Sequence, residues 1–474
     1  MYSSNNKLIE EYPKINEESI NLNKSFFNKI DKSYFNKKDY VIFFITFLIF
    51  LSSSIYFIVF QTDFEKMHTI RMNSIFGKIL ISVSLILLIY QLSFIFYIII
   101  LYKKYKVVNS VTDENLPTCT VIVPAYNEGK LVVDTLRSLV LNDYPENKIQ
   151  ILAIDDGSKD DTWEWMLLAK KELGERIEIY KQPRNMGKRQ ALYKGFKIGK
   201  GDIFVTVDSD SIVKSDTLRN LVSPFVTNIK CGAVGGNVRV LNKKHGIIPK
   251  MLNVTFVYSF EFIRSAQSVF GTVLCTPGAL AAYKKEAVFA CLEDWIDQKF
   301  MGKKSDIGED RALTNMILKQ GYHVLFQKNS LVYTNSPENY NQLNKMFIRW
   351  ERSNVRENIE MTKFAFTNFR KESKFTIRLL LLNQWINLIL SIPFTILMCY
   401  FLITNTIMFL TSLFLGIFIF SSIQAILYTN KYSFFESIWF YTYSIFYTFT
   451  LFWITPYSIL TVGKKGWLTR ELNV

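Results

Sequence analysis

The chain has 474 residues, 56 Lys and Arg against 41 Asp and Glu, a formal net charge of +15, 49% hydrophobic residues and 15% aromatics. That composition excludes a disordered tail and a collagen-like fibre, and the length corresponds to about three domain-sized units at roughly 150 residues each. A mean hydropathy of +0.12 is high for a chain that is 20% charged, so the apolar residues are concentrated in particular stretches. Cys119, Cys231, Cys275, Cys291 and Cys399 are widely spaced and form no C-x-x-C pair. They argue against a disulfide framework or a structural zinc site and fit a reducing, cytosol-facing environment. His68, His245 and His323 have no metal-ligand spacing either.

Residues 1–40 form a polar segment rich in lysine (Lys7, Lys14, Lys24, Lys29, Lys32, Lys37, Lys38). Val41–Phe60 is uncharged and long enough, at 1.5 Å per residue, to span a bilayer core of roughly 30 Å. Ile79–Tyr102 has the same property and runs into Lys103, Lys104 and Lys106, so 41–102 reads as a transmembrane hairpin. The loop between has only Lys66, Arg71 and Lys78, which places the N-terminus in the cytosol by the positive-inside rule. Residues 107–340 differ in character. Short β-branched runs (Cys119–Val123, Ile149–Ile154, Ile203–Val207) alternate with helix-compatible stretches, which predicts an α/β domain with a mostly parallel sheet. Residues 341–376 read as amphipathic interface helices, and 377–474 as C-terminal membrane segments near Ile377–Leu402, Ile407–Tyr428 and Ile438–Thr461. Three crossings would leave the basic tail Lys464–Arg470 outside, so one segment is expected not to span. The last, rich in Tyr, Phe and Trp with Pro456 near its end, has the composition of an interfacial or re-entrant element.

In open α/β sheets ligands bind beyond the carboxyl ends of the strands. The first strand ends in Val-Pro-Ala-Tyr126-Asn-Glu128, where the Tyr126 ring can stack on a base. The second ends in Asp155-Asp156-Gly-Ser, two carboxylates able to accept hydrogen bonds from a base or ribose, or equally a plain turn and helix cap. The third ends in Asp208-Ser-Asp210. Alternate strand residues share a face, so these carboxylates should converge and suit Mg²⁺ or Mn²⁺ with a nucleotide diphosphate; a solvated turn is the bland alternative. Asn185-Met-Gly-Lys188-Arg has a turn glycine followed by cations, fit for phosphate or sugar, or simply a basic helix start. No P-loop or dinucleotide-binding glycine motif occurs. In Gly308-Glu309-Asp310-Arg311 the helix dipole alone would favour the acids, while Asp310 is also a candidate general base held ionised by a nearby Arg. Met346, Phe347 and Trp350 recur at helical spacing on a membrane-surface helix; Trp350 offers a face for a sugar ring and Arg349 a partner for a leaving diphosphate.

Taken in order, these segments resemble the processive, membrane-embedded family 2 glycosyltransferases: hyaluronan, chitin, nodulation chitooligosaccharide and cellulose synthases. The stretches GEDRALTN (308–315) and RWERSNVRE (349–357) look closer to the hyaluronan and chitin branch. The resemblance implies a GT-A type domain in which Tyr126, Glu128, Asp155, Asp156, Lys188, Asp208 and Arg349 bind the UDP donor, Asp208 and Asp210 the metal, and Asp310 acts as base. It further implies that Cys275, Thr276, Pro277, Gly278, Glu309, Arg311 and Trp350 serve the acceptor. The family's Q-x-x-R-W signature maps to Met346, Arg349 and Trp350, with Met in place of Gln. Gly466-Trp467-Leu468-Thr469-Arg470 resembles that branch's W-G-T-R gating element, with Leu468 in place of Gly.

The resemblance implies an inverting β-glycosyltransferase of the plasma membrane, its N-terminus and catalytic domain cytosolic. Its partners would be a UDP-sugar, with UDP-N-acetylglucosamine favoured, the growing polysaccharide and the lipid bilayer. Hyaluronan synthesis with alternating glucuronate, a non-processive transferase acting on polyprenyl phosphate, and a transporter with an inactive cytosolic domain remain open alternatives. Few ionisable residues mark the apolar segments as a transport path. The basic residues are scattered or juxtamembrane, so no nucleic-acid partner is expected. The sequence leaves open self-association and any accessory subunit.

Overall fold

A computed structural model describes residues 26–464. The site-bearing and longer helices are α1 (Lys37–Val59), α2 (Ile75–Lys104), α3 (Lys188–Ile198), α4 (Glu309–Lys319), α5 (Tyr340–Ala365), α6 (Phe375–Thr404) and α7 (Thr406–Thr429). Of these, α1, α2, α6 and α7 are long and apolar enough to cross a membrane, four such helices among the described residues. The fifth apolar stretch is not a continuous helix. It breaks into Trp439–Phe446, a π-helical turn at Tyr447–Leu451 and Ile454–Leu460, and the Thr450 carbonyl at the break accepts from the Trp453 indole at 2.9 Å.

The sheet is built from β1 (Cys119–Ala125), β2 (Ile149–Asp155), β3 (Glu178–Lys181), β4 (Ile203–Val207), β5 (Ser211–Val213), β6 (Cys231–Val240), β7 (Leu280–Lys284) and β10 (His323–Thr334); β8 (Lys299–Phe300) and β9 (Lys303–Lys304) form a separate hairpin. Its order is β3-β2-β1-β4-β7-β6-β10-β5. β1 pairs in parallel with β2 and β4, and β6 with β10, as an α/β domain requires. β7 enters antiparallel beside β4, with Val207 opposite Leu280. That register sets the turn preceding β7 next to the turn following β4, which brings residues 275–278 beside 208–210.

The strands have period two, and the core follows it. Val121 and Val123 of β1 pack on one face and Ile122 on the other. The second face does not end at the domain: Ile122, Phe204 and Leu313 belong to one cluster with Leu101 of α2, Phe364 of α5 and Leu380 of α6. The globular and membrane parts therefore share a core. A second attachment is ionic: Lys250 pairs with Asp39 at the start of α1, with side chains only 6% and 1% exposed.

Removing one member of a buried pair leaves an uncompensated charge, a loss of about 3–5 kcal/mol. Lys250→Met should accordingly lower the thermal unfolding midpoint of the purified protein sharply, and the double variant Asp39→Asn/Lys250→Met should recover much of it. Equal losses in the single and double variants would contradict this account of the joint.

Candidate functional site

A cavity of about 580 Å³ opens at the carboxyl ends of β1 and β4, under the N-terminus of α4 and the face of α5. Tyr126 and Glu128, beyond β1, line it, as does Asp156 beyond β2. The Asp156 carboxylate accepts from the Met186 and Gly187 N–H groups at 2.9 and 2.7 Å, so it holds the turn that launches α3. Gly187 has φ +93°, a conformation glycine adopts without strain. Asp155 and Thr276 do not line the cavity. Asp155 accepts from the Ser158 N–H at 3.0 Å and is fully buried; the Thr276 hydroxyl bonds Tyr283 and Thr314, each at 2.9 Å. Both shape the walls from behind.

The turn at Gly187 aims Lys188 into the cavity, where its ammonium reaches Asp208 at 2.5 Å and Glu309 at 3.2 Å. Burial opposes that charge, but Asp208, Glu309 and Asp310 outweigh it and hold the lysine above its ordinary pKa. Asp208 and Asp210 both line the cavity, but not through strand alternation as expected. β4 ends at Val207, and Asp208–Asp210 is a tight turn closed by the Ser211 N–H to the Asp208 carbonyl and pinned by the Thr135 hydroxyl to the Ser209 carbonyl at 2.8 Å. Asp210 accepts from the Thr334 hydroxyl at 3.3 Å.

Asp310 sits in the first turn of α4. Gly308 precedes it at φ +73°, where an added Cβ would collide with Ser353 of α5. The indole of fully buried Trp295 donates to the Glu309 carbonyl at 2.9 Å and fixes this terminus from below. The Asp310 carboxylate accepts from the Arg311 N–H at 2.8 Å and the Gly278 N–H at 3.1 Å. Burial, then the charge of Glu309, push its carboxyl up to about 6, against the pull of Lys188 and the Arg311 N–H. Glu309 goes the other way: burial disfavours its charge, but Lys188, Arg349 and Arg189 hold it below the usual range. The expected Arg partner for Asp310 is corrected here. Arg311 donates instead to Asn358 at 3.0 Å and Gln384 at 2.6 Å, and the cation beside Asp310 is Lys188. These groups converge at Gly278, where a Cβ would lie 3.0 Å from Lys188 Nζ, 3.5 Å from Asp310 Oδ2 and 3.9 Å from Asp208 Oδ2.

Cys275, Pro277, Gly278, Glu309, Arg311, Met346, Arg349 and Trp350 complete the expected residues that line the cavity. Trp350 is 41% exposed and stands edge-on to Phe347, with centroids 5.8 Å apart. Trp467, Thr469 and Arg470 lie outside the described residues. Arg264 lines the cavity and was not anticipated. Its guanidinium carbon lies 3.9 Å from the Phe260 ring centroid, and its Nε donates to the Cys275 carbonyl at 3.0 Å. It follows an irregular π-helical stretch, Val257–Ile263, with no motif around it. As a cation site, Asp208 and Asp210 supply oxygen donors suited to a hard divalent ion. No group of three or more metal-ligating side chains occurs among the described residues, so the remaining ligands would come from a bound diphosphate and water.

Residues 117–353 match the family described as "Glycosyltransferase like family 2". The chain is 32% identical to an N-acetylglucosaminyltransferase of Rhizobium meliloti (strain 1021) over 51% of this chain and 57% of that one, so it spans little more than half of that relative's length. It is 27% identical to an N-acetylglucosaminyltransferase of Azorhizobium caulinodans over 75% of this chain and 88% of that one. It is 28% identical to a hyaluronan synthase of Streptococcus pyogenes over 52% of this chain and 59% of that one.

The Asp310 carboxyl should titrate near 6 in the free protein, visible as an infrared carboxyl band absent from Asp310→Asn. Glu309→Gln removes the neighbouring negative charge, so the titration should move to lower pH. An unchanged or higher midpoint would contradict the assigned cause.

Proposed function

The chain belongs to the glycosyltransferase-like family 2, and on that premise we propose that it is a membrane-embedded, processive β-glycosyltransferase that polymerises a UDP-sugar, with UDP-N-acetylglucosamine as the building block. The observation that carries this reading is the meeting of Lys188, Asp208 and Asp310 in front of Gly278, on the floor of a cavity that also has an exposed indole and a second cation on α5. In the reaction the acceptor hydroxyl oxygen attacks the anomeric carbon and its proton passes to Asp310. The bond from that carbon to the β-phosphate oxygen breaks, and UDP leaves with the electron pair. One displacement inverts an α-linked donor to a β-linked product.

Tyr126, Glu128 and Asp156 would hold the nucleoside end, while Lys188 and Arg349 meet the diphosphate, where charge-assisted hydrogen bonds are strongest. Asp208 and Asp210 would hold Mg²⁺ or Mn²⁺, which when bound neutralises charge developing on the leaving diphosphate. Asp155 and Thr276, behind the wall, would act through the turns they brace. Trp350 would stack the acceptor sugar. Four crossings, with the broken fifth segment not spanning, would return the basic tail to the cytosolic side of the plasma membrane, where Trp467, Thr469 and Arg470 could reach the site. Names of the relatives support N-acetylglucosamine transfer; the likeness to a hyaluronan synthase keeps alternation with glucuronate as the second reading.

Asp310→Asn should leave UDP affinity within a few fold, by calorimetry, while reducing UDP release from UDP-N-acetylglucosamine by at least 10²-fold, the scale of losing a general base. Near-normal release would remove Asp310 from that role. With its carboxyl pushed up to about 6, the ionised base is lost as pH falls through that value, so kcat/KM should drop on the acid side near pH 6 in the wild type and at lower pH in Glu309→Gln. Gly278→Ala should impair both UDP binding and release, because its methyl occupies the meeting point.

A further inference from the structure

Ahead of the first membrane helix, residues 26–31 form a helical turn that packs on the α/β domain, well outside the residues 117–353 that match the family. Phe27 is only 3% exposed, and its ring centroid lies 5.0 Å from that of Tyr333. The Asp31 carboxylate accepts from the Tyr333 hydroxyl at 2.7 Å and pairs with the Lys214 ammonium at 3.1 Å. Tyr333 belongs to β10 and Lys214 follows β5, so one carboxylate ties these two strands together. Resting on the transferase reading, which puts the cation at Asp208 and Asp210, we propose that residues 26–31 are a clamp on the cation-binding turn, with Phe27 and Asp31 as positioning residues for Asp210.

Strand register carries the argument. β5 has three residues, follows Asp210 directly and lies at the edge of the sheet, paired with β10. In that ladder Ile212 stands opposite Tyr333 and Ser211 opposite Thr334. Successive side chains of a strand point to opposite faces, so one pair faces the clamp and the next faces the cavity. Ile212 and Tyr333 accordingly share a cluster with Phe27. Thr334 lines the cavity, and its hydroxyl and that of Ser211 donate to Asp210 at 3.3 and 3.4 Å. A shift of Ile212 and Tyr333 therefore moves the two donors that orient the carboxylate.

The rest of the turn is held from elsewhere. The Thr135 hydroxyl fixes it at the Ser209 carbonyl and the Ser138 hydroxyl at the Val213 N–H, the latter at 3.2 Å, and the clamp holds what lies between them, at Ile212. The clamp is itself anchored at its far end. Phe35 packs on Phe43 of α1 with ring centroids 6.2 Å apart, and Asn36 caps that helix, accepting from the Asp39 N–H at 3.1 Å. Residues 32–36 thus join the cation turn to the first membrane helix.

The test uses full-length protein in nanodiscs. UDP affinity is measured by calorimetry from a chelated, metal-free start as Mn²⁺ is stepped upward, and the readout is the Mn²⁺ concentration at which half of the tightening is reached. Partners that orient metal ligands are worth about tenfold or more in metal affinity, so Phe27→Ala and Asp31→Ala should each raise that concentration by about tenfold while metal-free UDP affinity stays within about twofold. Phe27→Leu, which keeps an apolar side chain over Ile212 and Tyr333, should behave as wild type. An unchanged Mn²⁺ requirement in both alanine variants, or a shift in Phe27→Leu as large as in Phe27→Ala, would overturn the proposal. Loss of metal-free UDP binding in step with the metal effect would do the same, because it would mean a general collapse of the site. Asp210→Ala on the same footing separates the two readings. If it abolishes the Mn²⁺ effect and the clamp variants leave it intact, the clamp alone is discarded; if it changes nothing, the cation site of the transferase reading is wrong and the clamp falls with it.

Discussion

Lys188 is the group around which the site is organised, since one buried ammonium is set against Asp208, Glu309 and Asp310. Three separate pieces of chain must meet there: the start of α3, which carries the lysine, the turn after β4 and the first turn of α4. The antiparallel entry of β7 supplies a fourth, Gly278, whose lack of a side chain leaves room at the meeting point. Burial and the neighbouring acid push Asp310 up, while the cations Lys188, Arg349 and Arg189 overcome burial at Glu309 and hold it below the usual carboxylate range, so the two acids are driven apart. Environments that split the pKa values of neighbouring acids mark acid and base roles. The negative charge set against Lys188 is also what a divalent cation at Asp208 and Asp210 would offset when an anionic diphosphate binds.

The second constraint is the membrane. The core beneath the sheet continues into α2, α5 and α6, so the cavity floor and the apolar helices form one packed body. α5 is the hinge of that arrangement: its inner face buries Val355, Met361 and Phe364 while Arg349 and Trp350 reach the cavity. Arg352 donates to the Thr461 hydroxyl at 2.9 Å and Arg356 to the Val462 carbonyl at 3.2 Å, fastening the end of the broken segment to the same helix. The cavity and the broken segment are thereby held in fixed relation, which a polymerising enzyme needs if the product end is to return to the same position after each addition.

Much of this is legible in the sequence because it is local. Uncharged runs of twenty residues or more announce membrane helices, β-branched runs followed by acidic or glycine-containing turns announce strand ends, and acids after a glycine announce a helix start, so Tyr126, Asp156, Asp208 and Asp310 stand out and all line one cavity. What escapes depends on distant register. Strand alternation puts the D-x-D pair on one strand face, whereas hydrogen bonds from Thr135 and Ser211 make it a turn. Adjacency suggests Arg311 as the partner of Asp310, but on a helix consecutive side chains diverge, and the cation arrives from residue 188. Arg264 lies in an aromatic stretch with no spacing signal, and β7 is only five residues long. Charge parity and aromatic composition set the last apolar segment apart from its neighbours, and it is the one whose helix is broken.

Whether the transferase site and the membrane helices work as one polymerising unit is tested most directly by product length at low conversion. With protein in nanodiscs, Mn²⁺ or Mg²⁺ and UDP-N-acetylglucosamine in large excess, gel sizing while only a few per cent of donor is consumed should show long chains beside unused donor. A ladder of short oligomers lengthening uniformly with time would contradict the account, because it would mean that each product leaves after one addition.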